Sequence, residues 1–425
     1  MIKKLFQKYF TSGFFLNAPL IVSVLIALVT LPIVLANLSV ADYGKWQFVL
    51  ALQSWLLTFS AMNITFASKR GIAKGLDGTF LYAFLVRLKL LFLLGFFVFG
   101  AAFYFKVLGQ SIFSSLLLIA GIYLIFGTLF QASFYEFLIA KKRFREWCFW
   151  QVLITTISMV GSALAALLTK NIVQFALFQL GSMTVLGWLG CFWTIKKEGL
   201  IKSYKRGEID KECVPYGLKL IPVDLASMTA TKISHFIVGP FLGFANLAIF
   251  SVANKLKDKV AGAIRSVRPL LYADFAKKDR KELIRIINRH LIKMGGLGAL
   301  LTLGFVGAGW FYIKFFLPET FQQAILYFAI LALGFPTGVL SIILHTILEA
   351  HLRHKELTVI GIVPNLLKIT LILIFGYFWR VIGVCIALVV SAWVSFGFYY
   401  LLTIKGDLVV NTVEKFPFIK RLSNF

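Results

Sequence analysis

Lys255, Lys257, Asp258 and Lys259 fall near the middle of LAIFSVANKLKDKVAGAIRSVRP, Leu247–Pro269, a stretch long enough to cross a bilayer. A charge at that depth costs roughly 2.5–3.5 kcal/mol on insertion scales, so such residues turn to a wet interior and act there. Ser251, Asn254, Lys255, Asp258, Gly262 and Arg265 recur at the spacing of one helix face. Their chemistry is that of an anion site, since an ammonium is a compact charge with three movable donors. Lys255 is too deep to snorkel to either interface, although an i, i+3 pair with Asp258 would also explain it. Lys257 and Lys259 lie nearer the end of the span, where snorkelling and cavity lining are both open readings.

A second stripe precedes it. Asp224, Ser227, Thr231 and His235 recur along one helix with Lys232 beside them. Pro215, Pro222 and Pro240 would kink that helix, because each removes a backbone donor. Lys368 sits mid-span after Pro364 and Asn365 and is a further cavity candidate. Arg70, Arg87 and Lys89 lie close to an interface, where they anchor the chain or draw an anion inward. Glu136 and Glu349 could carry a proton or pair with Arg143 and Arg353, and Glu349 continues a stripe of Thr337, Ser341 and His345. Lys45 follows Asp42 by three and reads as a local ion pair. His351 and His354 in a basic turn read as a solvated loop, and Cys148, Cys191, Cys213 and Cys385 lack metal-ligand spacing. No phosphate loop, nucleophile elbow or zinc helix motif occurs, so no metal or cofactor is expected, and any transport would be driven by a gradient or run downhill.

The elements that position these residues are membrane helices. The chain is 59% hydrophobic and 16% aromatic, too apolar for a soluble domain, with lipid-facing surface enough for aromatic belts. Its net charge of +26 raises nucleic acid, but no soluble stretch is long enough to carry a binding patch. Twelve spans are expected, at about 12–38, 43–66, 80–105, 112–140, 147–169, 172–195, 214–241, 244–268, 284–313, 320–350, 356–378 and 381–404. The first, following Lys3, Lys4 and Lys8, exceeds a signal-peptide core and reads as a retained span. The seventh and eighth are the least apolar. Of 44 lysines and arginines, thirty-one fall on the side of the N-terminus and only Lys106, Lys170, Lys314 and Arg380 on the other, which places both termini in the cytoplasm. The expected organisation is an N-terminal lobe of spans 1–6 (1–195), a linker (196–213), a C-terminal lobe of spans 7–12 (214–404) and a tail (405–425).

Two internal similarities point to duplication. Leu38–Trp46 (LSVADYGKW) aligns with Leu242–Phe250 (LGFANLAIF) at an offset of 204, and Ala140–Glu146 (AKKRFRE) with Ala350–Glu356 (AHLRHKE) at 210. Each pair falls at the same turn of its six-span half. Six is even, so the halves share an orientation, as in transporters built from parallel repeats.

Leu38–Gln47 (LSVADYGKWQ), Phe66–Ala73 (FASKRGIA), Phe250–Leu256 (FSVANKL) and Arg268-Pro269, in this span arrangement, resemble a polysaccharide (O-antigen type) flippase of the multidrug/oligosaccharidyl-lipid/polysaccharide exporter superfamily. The resemblance covers essentially the whole chain in span count and loop length. It implies an all-α polytopic membrane protein, two six-helix pseudo-symmetric lobes around a central cavity. It implies a substrate of oligosaccharide on an undecaprenyl pyrophosphate carrier, moved across a bacterial inner membrane, with membrane lipid, a polymerase and a chain-length regulator as partners. Arg70, Arg87 and Lys89 would then funnel the pyrophosphate. The first span carries no charge, unlike the arginine-bearing first helix of lipid II flippases, and the mid-span charges lean basic, unlike the carboxylate-lined drug exporters. A cation-coupled drug or metabolite antiporter of the same fold would depend on Asp224, and a membrane polymerase or ligase would need large outside loops that are absent from this sequence.

Overall fold

A computed structural model describes residues 2–265, 275, 280–350 and 354–413. Among these the elements are all helical: α1 (Ile2–Asn37), α2 (Val40–Leu56), α3 (Met62–Ala73), α4 (Thr79–Val107), α5 (Ser111–Ile122), α6 (Thr128–Ala140), α7 (Phe144–Thr169), α8 (Ile172–Glu198), α9 (Leu200–Lys205), α10 (Cys213–Lys219), α11 (Ile221–Leu242), α12 (Phe244–Arg265), α13 (Arg280–Phe316), α14 (Ala324–Ala332), α15 (Phe335–Ala350) and α16 (His354–Val413). The chain divides into two compact units, Met1–Leu225 and Ala226–Phe425.

Seven helical stretches are long and apolar enough to cross a membrane, and nine are if two bent pairs each count as one span. The seven include Val359–Ile404, which is too long to be a single span. Val359, Ile360 and Leu402 nevertheless pack in one cluster, which a straight helix rising about 1.5 Å per residue would forbid. The chain reverses at Arg380, whose backbone is left-handed (φ 51°), and a side chain added at Gly376 would meet Val384 at 3.2 Å. Spans 11 and 12 are therefore two antiparallel arms of α16. The two helices too polar to pass are α11 and α12, the expected seventh and eighth spans. Large apolar side chains such as Phe96, Phe97 and Leu168 lie open on the surface, as lipid-facing residues do.

The turns follow local chemistry. Ser39 accepts the Asp42 amide at 3.1 Å and caps α2, while Asp42 pairs with Lys45 at 2.9 Å. Gly243 makes the equivalent turn before α12 at φ 101°, a backbone that favours glycine. Helices α2 and α12 start at Val40 and Phe244, 204 residues apart. The first sequence repeat thus coincides with an element boundary, while the second falls on residues 350–356, part of which lies outside the described residues.

The duplication extends to an irregularity that sequence comparison did not show. Span 4 passes through a π turn at Tyr123–Gly127 between α5 and α6. Span 10 bends by 43° between α14 and α15, near Leu333. Pro336 contributes to this bend, because it cannot donate to the carbonyl four residues earlier. In both places a tryptophan answers the released backbone: Trp188 Nε1 donates to the Phe126 carbonyl and Trp393 Nε1 to the Leu333 carbonyl, each at 3.1 Å. The two indoles come from the sixth span of their own halves. Replacing either by phenylalanine keeps the ring and leaves a carbonyl unpaired in a dry environment, which should cost about 1–3 kcal/mol. Trp188→Phe and Trp393→Phe should each lower the melting midpoint of the purified protein, and the double variant should show the sum.

Span 7 departs from expectation. It is not one kinked helix from 214 to 241 but breaks at Leu220 into α10 and α11, with Pro215 and Pro222 in the first turns of those helices, where a missing amide costs nothing. The segment 196–213 and α10 belong to the first unit: Thr79 Oγ1 accepts the Asp210 amide at 2.8 Å, and Gly217 lies so close to Ile64 that an added side chain would meet its backbone at 2.5 Å.

Candidate functional site

The second unit gathers lysines from separate spans. A cavity of 330 Å³ is lined by Lys257 of α12, Asn365 and Lys368 of the first arm of α16, and Ser391 and Ser395 of its second arm, with Phe335 and Pro364 among its apolar walls. Among the described residues no carboxylate lines it. Lys257 Nζ donates to Asn254 Oδ1 at 2.7 Å and stands 3.3 Å from Asp258, whose other oxygen accepts from Asn254 at 3.1 Å. The i, i+1 and i, i+3 neighbours thus hold Lys257 in place and leave its remaining donors for the cavity. Asp258 is more than half exposed.

The other lysines surround the same region. Lys232 interacts electrostatically with Asp258 and Lys255, Lys259 with Lys255, and Lys368 with Lys257 and Asp258. His235 is buried edge-on against Phe250 at 5.7 Å, its Nδ1 3.4 Å from the Ser234 hydroxyl, and within the field of Lys232, Lys255, Lys257 and Lys368. Lys257, Lys232 and Lys368 thus all act on Asp258. In a medium of low dielectric constant like charges repel strongly, and a bound anion relieves that repulsion.

The first unit places its candidates differently. Arg87 is fully buried, with Nη1 donating to Thr65 Oγ1 at 2.6 Å, and Nε and Nη2 to the Ser60 carbonyl and hydroxyl, both at 3.3 Å. This corrects the reading of Arg87 as an interfacial funnel. Span 2 bends by 52° between α2 and α3, Ala61 adopts a left-handed backbone at the break, and Arg87 supplies the donors that the interrupted helix lacks. Asp224 accepts a hydrogen bond from Asn63 Nδ2 and begins α11, where a carboxylate complements the helix dipole. It belongs to the first unit, whereas Thr231 and His235 of the same expected stripe belong to the second. Arg70 pairs with Asp210 at 3.3 Å and with Glu212, beside a 440 Å³ cavity that Cys213 and Tyr216 also line. Burial and the nearby Asp210 push the Cys213 thiol up to about 11. Lys89 is exposed and lines none of these cavities. Glu136 pairs with Lys69 at 2.6 Å rather than with Arg143, which holds Glu198 at the same distance. The side chain of Glu349, like Arg353, Arg268 and Pro269, lies outside the described residues.

Comparison with known proteins sharpens this picture. The family described as "Polysaccharide biosynthesis protein" matches residues 11–264. The chain belongs to that family. No curated protein matches. Among solved structures, an inward-facing multidrug resistance MATE transporter of the MOP superfamily is 13% identical, with a TM-score of 0.64 over 93% of this chain and 96% of its own. A MOP superfamily transporter from Pyrococcus furiosus Vc1 is 15% identical, with a TM-score of 0.63 over 94% of this chain and 96% of its own, and reversed polarity of its binding pocket is described as suggesting a different function. An outward-facing MATE transporter gives 0.59 at 15% identity over 95% and 96%. These likenesses establish the fold. With the apolar helices they make this a multi-pass membrane protein of that family, with the fold of the MOP superfamily transporters.

Two measurements separate structural from site residues. Arg87→Met should leave buried acceptors unpaired and cost about 1–3 kcal/mol per group. Its protein yield and melting midpoint should both fall, while Lys368→Ala should fold normally. Alkylation of Cys213 should be very slow at neutral pH and rise roughly tenfold per pH unit towards pH 11, read by peptide mass spectrometry, because only the thiolate reacts.

Proposed function

We propose that this transporter flips a lipid-linked oligosaccharide, carried on an isoprenoid pyrophosphate, from the cytoplasmic to the outer leaflet of a bacterial inner membrane. The observation that carries this reading is the gathering of Lys257 and Lys368 in one cavity, with no carboxylate among the described residues that line it. Sugars and a pyrophosphate cannot cross hydrocarbon unaided, and a hydrated basic cavity shelters both. Asn365, Ser391 and Ser395 suit sugar hydroxyls, since each can donate and accept. Both termini lie in the cytoplasm, following the lysine and arginine bias of the loops.

Several flexible ammonium groups fit a substrate that must enter and leave, because many moderate contacts hold an anion without trapping it. The membrane potential supplies a driving force. Moving about two negative charges out of an inside-negative cell at about 100 mV is worth on the order of 5 kcal/mol. A polymerase and a chain-length regulator acting outside would remove the product and pull the cycle forward. Asp224, Glu136 and Glu349 remain the carboxylates available for ion coupling, Asp224 foremost because Asn63 leaves it unpaired by any cation among the described residues.

The test is complementation of a deletion strain. Lys257→Ala, Lys368→Ala and Lys255→Ala should each cut surface polymer roughly 10- to 100-fold at normal protein levels, the loss expected for one charged hydrogen bond of about 1.5–3 kcal/mol. Lys→Arg variants should retain part of the activity. Lipid-linked repeat units should accumulate on the cytoplasmic side of the deletion strain. Normal polymer in all three alanine variants, with dependence on Asp224 and altered drug resistance, would instead identify a cation-coupled antiporter.

A further inference from the structure

On the outside of the first unit, the start of α7 and the end of α8 form a groove of 520 Å³ lined by Arg145, Glu146, Phe149, Trp150, Trp193 and Lys197. Its rings face outward: Phe149 is 60% exposed and Trp193 39%. Trp150 packs against both, with ring centroids 5.9 Å from Phe149 and 6.2 Å from Trp193. Charges crown the apolar floor. Lys197 Nζ lies 4.2 Å above the Trp193 ring and 3.3 Å from Glu146. Arg143 holds Glu198 at 2.6 Å and reaches Glu146 at 3.8 Å.

Both carboxylates of this corner are therefore already engaged. Arg145, exposed, lies against the ring of Phe15 at 5.5 Å, and among the described residues no carboxylate stands within ion-pairing distance of it. The groove sits where two spans end. An aromatic floor beneath a cationic rim matches the boundary between acyl chains and headgroups.

We infer that this groove binds an anionic glycerophospholipid, its phosphate on Arg145 and Lys197 and an acyl chain along Phe149 and Trp193. Charge complementarity selects that occupant over a zwitterionic lipid, because the corner holds an excess of cations once its carboxylates are paired. The aromatic floor selects a lipid over a free phosphate, which would leave the exposed rings uncovered. The site is separate from the lysine cluster of the second unit and would hold for any substrate that cluster takes.

The experiment uses the full-length protein in detergent micelles, titrated with dioleoyl phosphatidylglycerol or dioleoyl phosphatidylcholine and read by native mass spectrometry. Phosphatidylglycerol should be retained several-fold better than phosphatidylcholine. Arg145→Gln should reduce that preference about fivefold, as expected for one basic residue at a lipid surface. Arg145→Lys should keep most of it, Lys106→Gln should leave it unchanged, and equal melting midpoints should show that all variants are folded. Brominated phosphatidylglycerol should quench more tryptophan fluorescence in the unmodified protein than in Trp193→Phe. Equal retention of the two lipids, an unchanged preference in Arg145→Gln, or displacement of the lipid by inorganic phosphate alone would overturn the assignment.

Discussion

A helix that breaks inside hydrocarbon releases backbone carbonyls that water cannot reach, and the protein must answer each with a donor of its own. This chain breaks its spans repeatedly and answers in three recognisable ways. The bend in span 2 is met by the Arg87 guanidinium, and the irregularities of spans 4 and 10 by the indoles of Trp188 and Trp393. Each donor comes from a different span than the break it serves. The irregular points are thereby tied to neighbouring helices.

That arrangement explains how such an apolar chain keeps defined bends. A proline or π turn alone creates a weak point, whereas a weak point with a fixed partner is a reproducible joint. The joints of spans 4 and 10 occupy equivalent places in the two halves, as do the start sites of α2 and α12. Duplication has therefore preserved the backbone irregularity and its indole, while little sequence likeness survives around either.

The polar chemistry has diverged between the halves. The first unit pairs most of the carboxylates described in it: Glu136 with Lys69, Asp210 and Glu212 with Arg70, Asp77 with Lys141, Glu198 with Arg143. In the second, Lys257, Lys232 and Lys368 act on Asp258. Ion pairs locked within a unit add rigidity, whereas a cavity lined by two lysines favours an anion. The division of labour suits a transporter in which one half carries most of the anion contact.

Hydropathy and charge counts were enough to show twelve spans, the duplicated plan and the basic character of span 8, because a bilayer imposes length and polarity on each segment separately. The capping of α2 and the Asp42–Lys45 pair were legible for the same local reason. Only the tertiary structure could decide which charges meet. Lys257 and Lys368 are more than a hundred residues apart, yet they face one cavity, lined by α12 and by both arms of α16, which folds back at Arg380. Arg87 looked interfacial by position, but its burial depends on the break at Ala61, which no residue spacing announces. The opening stretch remains the centre of the cationic site, with a changed emphasis: Asp258, which sequence spacing offered to Lys255, stands beside Lys257 and is linked to it through Asn254. Spacing along one helix defines which partners are within reach. Packing against other helices determines which of them are used, since only there do desolvation and competing charges act.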